Sequence, residues 1–183
     1  MNNLPRQLKD LNRTDVFNSS TNEVKRRLKQ FDNFAHKGTR GHAAIIAGSE
    51  GMMGASILAT SACMHAGCGK TTAFVPTASF QLIHQTVPEA LVRSSDLIPE
   101  NFDLYQSVAV GPGLGIDVHT ENLLLSAFQA KKPLVIDADG LHMLASNPSL
   151  ISTLPEKSIL TPHHREWERI FHPCKDDIEK INT

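Results

Sequence analysis

The sequence predicts an α/β fold in which helices cover a largely parallel sheet, and three observations carry that expectation. Short apolar runs, partly β-branched, alternate along the chain with helix-like segments. The runs are apolar almost throughout, as strands are when helices cover both faces of their sheet. Glycine-rich turns follow two of them and lead into helix-like segments, the order of a βα connection. A length of 183 residues suits one domain with a substantial core.

Taken in order, residues 1–35 stand apart, being polar and free of glycine. They hold one helix candidate, NEVKRRLKQF, and Ser20 three residues before Glu23 gives it a capping box. The segment reads as a linker or the tail of a preceding domain. From His36 onward the expected strands are HAAIIA (42–47), TTAFV (71–75), SVAV (107–110), PLVID (133–137) and SILT (158–161). The helix candidates between them are ASILATSACMHA (55–66), ASFQLIHQ (78–85), TENLLLSAFQA (120–130) and DGLHMLAS (139–146). In the third, Leu123, Leu124, Ala127 and Phe128 recur on one helical face. A last helix begins after SILT and carries Glu166.

Composition excludes several function classes. Eighteen basic against 19 acidic residues leave a net charge of −1, which gives no electrostatic case for nucleic acid or an anionic membrane. One Trp and one Tyr make no stacking platform for single strands. The three cysteines, Cys63, Cys68 and Cys174, contain no CxxC pair and read as neither a disulfide framework nor a zinc knuckle. No apolar run is long enough for a signal peptide or a membrane span, so the expected compartment is a reducing cytoplasm.

The stretch GCGKTT at 67–72 resembles the end of a Walker A loop. That loop requires a glycine five positions before Gly69, where Met64 stands, and it runs from strand to helix. Here a helix leads into a strand, so Gly67 and Gly69 read as the helix exit and Lys70 as an exposed strand start. Two other glycine loops have the strand-to-helix order: AIIAGSEGMMGAS (44–56) and VAVGPGLGID (108–117). Gly48, Gly51 and Gly54 have the wrong spacing for a dinucleotide fingerprint, yet two such loops at strand ends favour a shared crevice for a phosphate-bearing ligand. VIDADG places Asp137 at a strand end and Asp139 at a helix N-cap position. Pro162 turns the chain after SILT and leaves His163 at the sheet edge, suited to a neutral hydrogen bond with a polar ligand. Adjacent His163 and His164 point apart on most backbones, and no third ligand is evident, so no metal site is expected.

Five segments, HKGTRGHAAIIAGSEGMMGAS, VPEALV, VGPGLG, PLVIDADGL and LTPHHREWERIF, occur in an order that resembles the NAD(P)H-hydrate dehydratase family. The resemblance runs from His36 to about Phe171 and implies a ribokinase-like three-layer sandwich. It implies a repair reaction in which NADHX and NADPHX are dehydrated back to NADH and NADPH at the expense of ADP or ATP, with Mg²⁺. The added hydroxyl is phosphorylated and phosphate is then eliminated. By the same resemblance Ala55 lines the substrate site, Gly113 lets the backbone approach the dinucleotide, and His163 contacts the hydrated nicotinamide. Gly111, Gly115 and Asp137 accompany them, and Glu166 falls nearer the metal and phosphate region.

The chain departs from the family pattern at Arg40, where a bulky residue is usual, and at His164 and Arg165, where small residues are common. A GTGD motif, whose aspartate would be the base, occurs nowhere in the 183 residues. The expectation is therefore a domain incomplete at its C-terminal side, with 36–183 its N-terminal part. It would hold no catalytic residue of its own, be inactive in isolation and expose apolar sheet surface suited to self-association. Two alternatives share the fold: a kinase for a vitamin precursor or sugar, or a non-catalytic dinucleotide-binding remnant.

Overall fold

The protein is described by a computed structural model covering residues 20–28, 31, 33–97, 102–129 and 131–171. Six parallel strands make one sheet: β1 (His42–Ile46), β2 (Lys70–Val75), β3 (Leu91–Ser94), β4 (Ser107–Val110), β5 (Leu134–Ile136) and β6 (Ile159–Leu160). Their spatial order is β3-β2-β1-β4-β5-β6. All five strands expected from the sequence are present. The sixth, β3, escaped notice because LVRS is short, half-exposed and carries Arg93. It pairs with β2 through Thr72 opposite Leu91.

The α-helices among the described residues are α1 (Thr21–Arg27), α2 (Met53–His65), α3 (Phe80–Thr86), α4 (Val118–Gln129), α5 (Asp139–Ser146) and α6 (His164–Ile170). Ser20 caps α1 as the sequence implied, accepting from the Glu23 N–H at 3.2 Å. Glu23 turns its carboxylate to Arg26 and Arg27, which hold it below the usual carboxylate range, Arg27 contributing most. The helix stops four residues short of the expected Phe31, because Leu28 is already extended. The expected linker or tail, 1–35, falls partly on residues 1–19, 29, 30 and 32, which lie outside the described residues.

Strand alternation sorts the core onto two faces. On one, Ala44, Ile46, Val108, Val110, Leu134 and Ile136 meet Leu123, Leu124, Ala127 and Phe128 of α4 and Leu141 and Leu144 of α5. On the other, Ala73 and Val75 meet Met53 and Ile57 of α2 and Ile83 of α3. The four apolar α4 residues picked out by their spacing are all buried. On the β1–β2 half helices cover one face, and Phe102 and Tyr105 pack on Phe74 on the other, whereas the described residues cover β4, β5 and β6 on one face. On their other face Ala109 and Val135 remain half-buried, and Ser107 and Ile159 are exposed. Two of the three expected layers are whole and the third is partial over the described residues. None of the described helices is long and apolar enough to cross a membrane.

Candidate functional site

In this strand order β1 leads toward one edge of the sheet and β4 toward the other, so the connections leaving them diverge to opposite faces. The crevice at such a switch point, outside the carboxyl ends of the strands, is where open α/β sheets bind ligands. The residues expected from the sequence gather around it. After β1, the chain turns through Gly48 and Gly51, both with positive φ, before α2 begins at Met53. After β4, it turns through Gly111, Gly113 and Gly115, also at positive φ.

The two loops are joined. The Gly48 N–H donates to the Pro112 carbonyl at 2.8 Å, and the Ser49 hydroxyl donates to the Gly113 carbonyl at 2.8 Å. A Cβ added to Gly113 would lie 2.8 Å from the Ala55 Cβ and 3.0 Å from the Met52 carbonyl oxygen. Ala55 and Gly113, 58 positions apart in sequence, are therefore in direct apposition. Gly111 is tighter still, since a Cβ there would fall 1.9 Å from the Asp137 carbonyl oxygen. The Asp137 N–H in turn donates to the Val110 carbonyl at 3.2 Å.

One sequence expectation is corrected here. Asp139 does not cap α5, whose N-cap residue is Ala138 and has no side-chain cap bond. Its Oδ2 accepts instead from the Gly115 N–H at 2.8 Å, tying the start of α5 to the glycine loop. Ala138 is held at φ 49°, a strained value for a residue with a Cβ, while Asp137 Oδ1 accepts the Ala138 N–H at 2.9 Å. The amide N–H groups of these loops are largely taken: Gly48 donates to the Pro112 carbonyl, Gly111 to Ile46, Leu114 to Gly111, and Gly115 to the Asp139 carboxylate. The glycines serve close approach of one backbone to another.

His163 and Glu166 sit at the same end of the sheet, two and five residues beyond Thr161, whose N–H donates to the Ile136 carbonyl. They pair with each other. His163 Nδ1 accepts from the Arg165 and Glu166 N–H groups at 3.1 and 3.4 Å, and Glu166 Oε2 accepts the His163 N–H at 2.9 Å. That is a capping box closed by a histidine, with His163 Nε2 also 3.3 Å from Glu166 Oε1. An Nδ1 that accepts carries no proton, so the ring is the Nε2–H tautomer with its proton toward Glu166. The sequence reading of a neutral His163 fits this geometry, but both ring nitrogens serve α6 itself.

Nothing in the sequence singles out Ser49 and Met52, whose contacts with Gly113 form only once the loops lie face to face. Next to this cluster, Asp137, Thr161 and Pro112 border a groove of about 380 Å³ over the open sheet face, with Ala59 and Cys63 of α2 on its other wall. A cavity of about 430 Å³ lies elsewhere, between the start of α4 and the end of α5, and its Asp117 and Glu121 carboxylates would repel an anionic dinucleotide. There Asp117 accepts the Thr120 N–H and hydroxyl, and these bonds hold its carboxyl below the usual range. Among the described residues no three His, Cys, Asp or Glu side chains converge as a metal site.

Comparison with known proteins bears on this arrangement directly. The profile of the NAD(P)H-hydrate dehydratase family matches residues 43–181. The ADP-dependent (S)-NAD(P)H-hydrate dehydratase of Enterococcus faecalis is 31% identical over 151 residues, covering 79% of this chain and 52% of that protein. The bifunctional NAD(P)H-hydrate repair enzyme Nnr of Vibrio cholerae is 34% identical over 148 residues, covering 79% of this chain and 29% of its own length. Among solved structures, the ADP/ATP-dependent NAD(P)H-hydrate dehydratase of Bacillus subtilis, co-crystallised with ATP and Mg²⁺, superposes with a TM-score of 0.69 at 29% identity. The match covers 82% of this chain and 53% of that one. A ribokinase-like superfamily protein of Enterococcus faecalis gives 0.68 at 26% identity, over 78% and 52% of the two chains. The fold is thus ribokinase-like, and the chain spans about half the length of the single-function dehydratases it matches. With the profile covering all six strands and both glycine loops, the chain belongs to the NAD(P)H-hydrate dehydratase family.

Proposed function

We propose that these residues form the dinucleotide-facing part of a site for ADP- or ATP-dependent dehydration of NADHX and NADPHX. The observation that carries this reading is the contact between Gly113 and Ala55, which closes the two loops on each other at the switch point with no side chain larger than a methyl group at either residue. A flat pyridine or ribose can approach closest where no side chain projects. The start of α2, a 13-residue helix without a side-chain cap, lies at the same crevice, where its dipole favours a pyrophosphate.

In this reading the chain's residues bind and orient; they do not activate the hydroxyl. Ala55, Gly113 and the neighbouring Gly111 and Gly115 shape the dinucleotide contact. His163, oriented by the Arg165 and Glu166 N–H groups that its Nδ1 accepts, offers the face of its ring to the hydrated nicotinamide, and Asp137 borders the groove over the open sheet face. The nucleotide and its metal are not assigned to any described residue, and no GTGD aspartate occurs among the 183 residues. The expected turnover of NADHX by this polypeptide alone, with ADP or ATP, is therefore nil.

Calorimetry separates the alternatives. NADPH is expected to bind and ADP to give no heat, with Gly113→Val abolishing the NADPH signal while leaving the far-ultraviolet circular dichroism intact. ADP binding without NADPH binding, or phosphorylation of a hydroxymethyl substrate, would favour a kinase of the same fold instead.

A further inference from the structure

We propose that Cys63 and Cys68 are a thiol modification site: a dithiol that closes to an intrachain disulfide on meeting a small-molecule disulfide. The proposal is independent of the dehydratase reading and starts from how α2 ends. Gly67, at φ 94°, is the left-handed residue of a Schellman turn. Its N–H donates to the Met64 carbonyl at 2.9 Å, and the Cys68 N–H donates to the Cys63 carbonyl at 3.4 Å. This turn sets the side chains of its first and last residues against one another, a place usually taken by an apolar pair. Here both are cysteine, and both are free thiols.

The two sulfurs differ in a way that orders the chemistry. Cys63 accepts from the Thr71 hydroxyl at 3.4 Å and faces the groove over the open sheet. Burial pushes its thiol up, and the Cys68 thiol beside it adds to the rise, against the lowering effect of Thr71. Cys68 donates to the Lys70 carbonyl at 2.9 Å and borders a separate cavity of about 250 Å³ shared with Arg40. The guanidinium offers a counter-charge to the carboxylates of an oxidant such as glutathione disulfide.

In the first step the Cys68 thiolate attacks one sulfur of glutathione disulfide, forming a mixed disulfide and releasing one glutathione thiolate. In the second, Cys63 gives up its proton and its sulfur attacks Cys68 Sγ, expelling the second glutathione, which takes that proton. Two protein thiols become one S–S bond, and the oxidant takes up two electrons and leaves as two thiols. Closure acts on the site through α2, because Ala55, Ala59 and Cys63 follow one another at four-residue spacing along one face of that helix.

The test is a titration of the 183-residue protein with oxidised and reduced glutathione, quenched in acid, alkylated and digested with trypsin. Both cysteines fall in peptide 41–70 and Cys174 in peptide 170–175, so the sites are read separately. Peptide 41–70 is expected to become lighter by two hydrogen atoms and to resist alkylation. In Cys63→Ser, Cys68 is expected to accumulate one glutathione. In Cys68→Ser, Cys63 is expected to react about tenfold more slowly than Cys68 does. The proposal is overturned if peptide 41–70 takes two alkyl groups at ratios that fully glutathionylate Cys174. It is equally overturned if the unmodified protein stalls with glutathione on Cys68.

Discussion

At Gly111 the chain has no room for a methyl group: the Asp137 carbonyl would sit 1.9 Å from it. Gly113 tolerates slightly more, with Ala55 Cβ at 2.8 Å, while Gly51 has positive φ and nothing within 4 Å. These three geometries rank three substitutions. Gly51→Ala pays only for the left-handed backbone, about 1 kcal/mol. Gly113→Ala adds a steric clash of about 1–3 kcal/mol, and Gly111→Ala exceeds both because its obstacle is backbone that cannot rotate away. Urea midpoints in the order Gly51→Ala, Gly113→Ala, Gly111→Ala, from highest to lowest, are expected; any inversion refutes the packing account. His42 makes a second residue-level case. Its Nε2 lies 2.8 Å from the Thr72 hydroxyl, and burial, helped by the Lys70 charge, holds its imidazole below the ordinary value. The unfolded chain therefore takes up this proton at higher pH than the folded one. Stability tied to His42 is complete above about pH 6.5 and falls as pH drops through the lowered value. Melting temperatures from about pH 5 to 8 should rise with pH more steeply in the parent than in His42→Gln.

Helix α6 illustrates how an element can claim residues that looked functional. His163 and Glu166 were picked out because they follow a strand end, yet their hydrogen bonds close the first turn of a seven-residue helix. Removing either partner should destabilise the fold by about 0.5–2 kcal/mol. Because each bond depends on the same turn, His163→Ala with Glu166→Ala should lose less than the two singles added together. Additive losses by chemical denaturation would mean that the box contributes nothing as a unit. Asp139 shows the reverse case: its position after a strand suggested a cap, but the carboxylate crosses to Gly115. Local spacing names the residue types that can cap a helix, whereas the approach of a loop from another strand decides which of them does.

The sheet carries its own asymmetry. Val135 and Ile136 are neighbours on β5, one half-buried on the open face and the other fully buried. Val135→Thr should cost under about 1 kcal/mol, because its hydroxyl reaches water. Ile136→Thr buries an unpartnered hydroxyl and should cost about 2 kcal/mol or more; equal losses in thermal melts would mean that the open face is covered in solution. Much of this was legible beforehand. Apolar runs and the α4 stripe declared the elements, and the glycine loops declared where strands turn into helices. The half-exposed β3 was not legible, because four residues with an arginine carry too little hydrophobic signal. Nor was the joining of Ala55 to Gly113 written in any local pattern. Periodicity and turn chemistry act over a few residues and so appear in the chain directly. Which loop meets which depends on strand order, and strand order is set by packing between segments far apart in sequence.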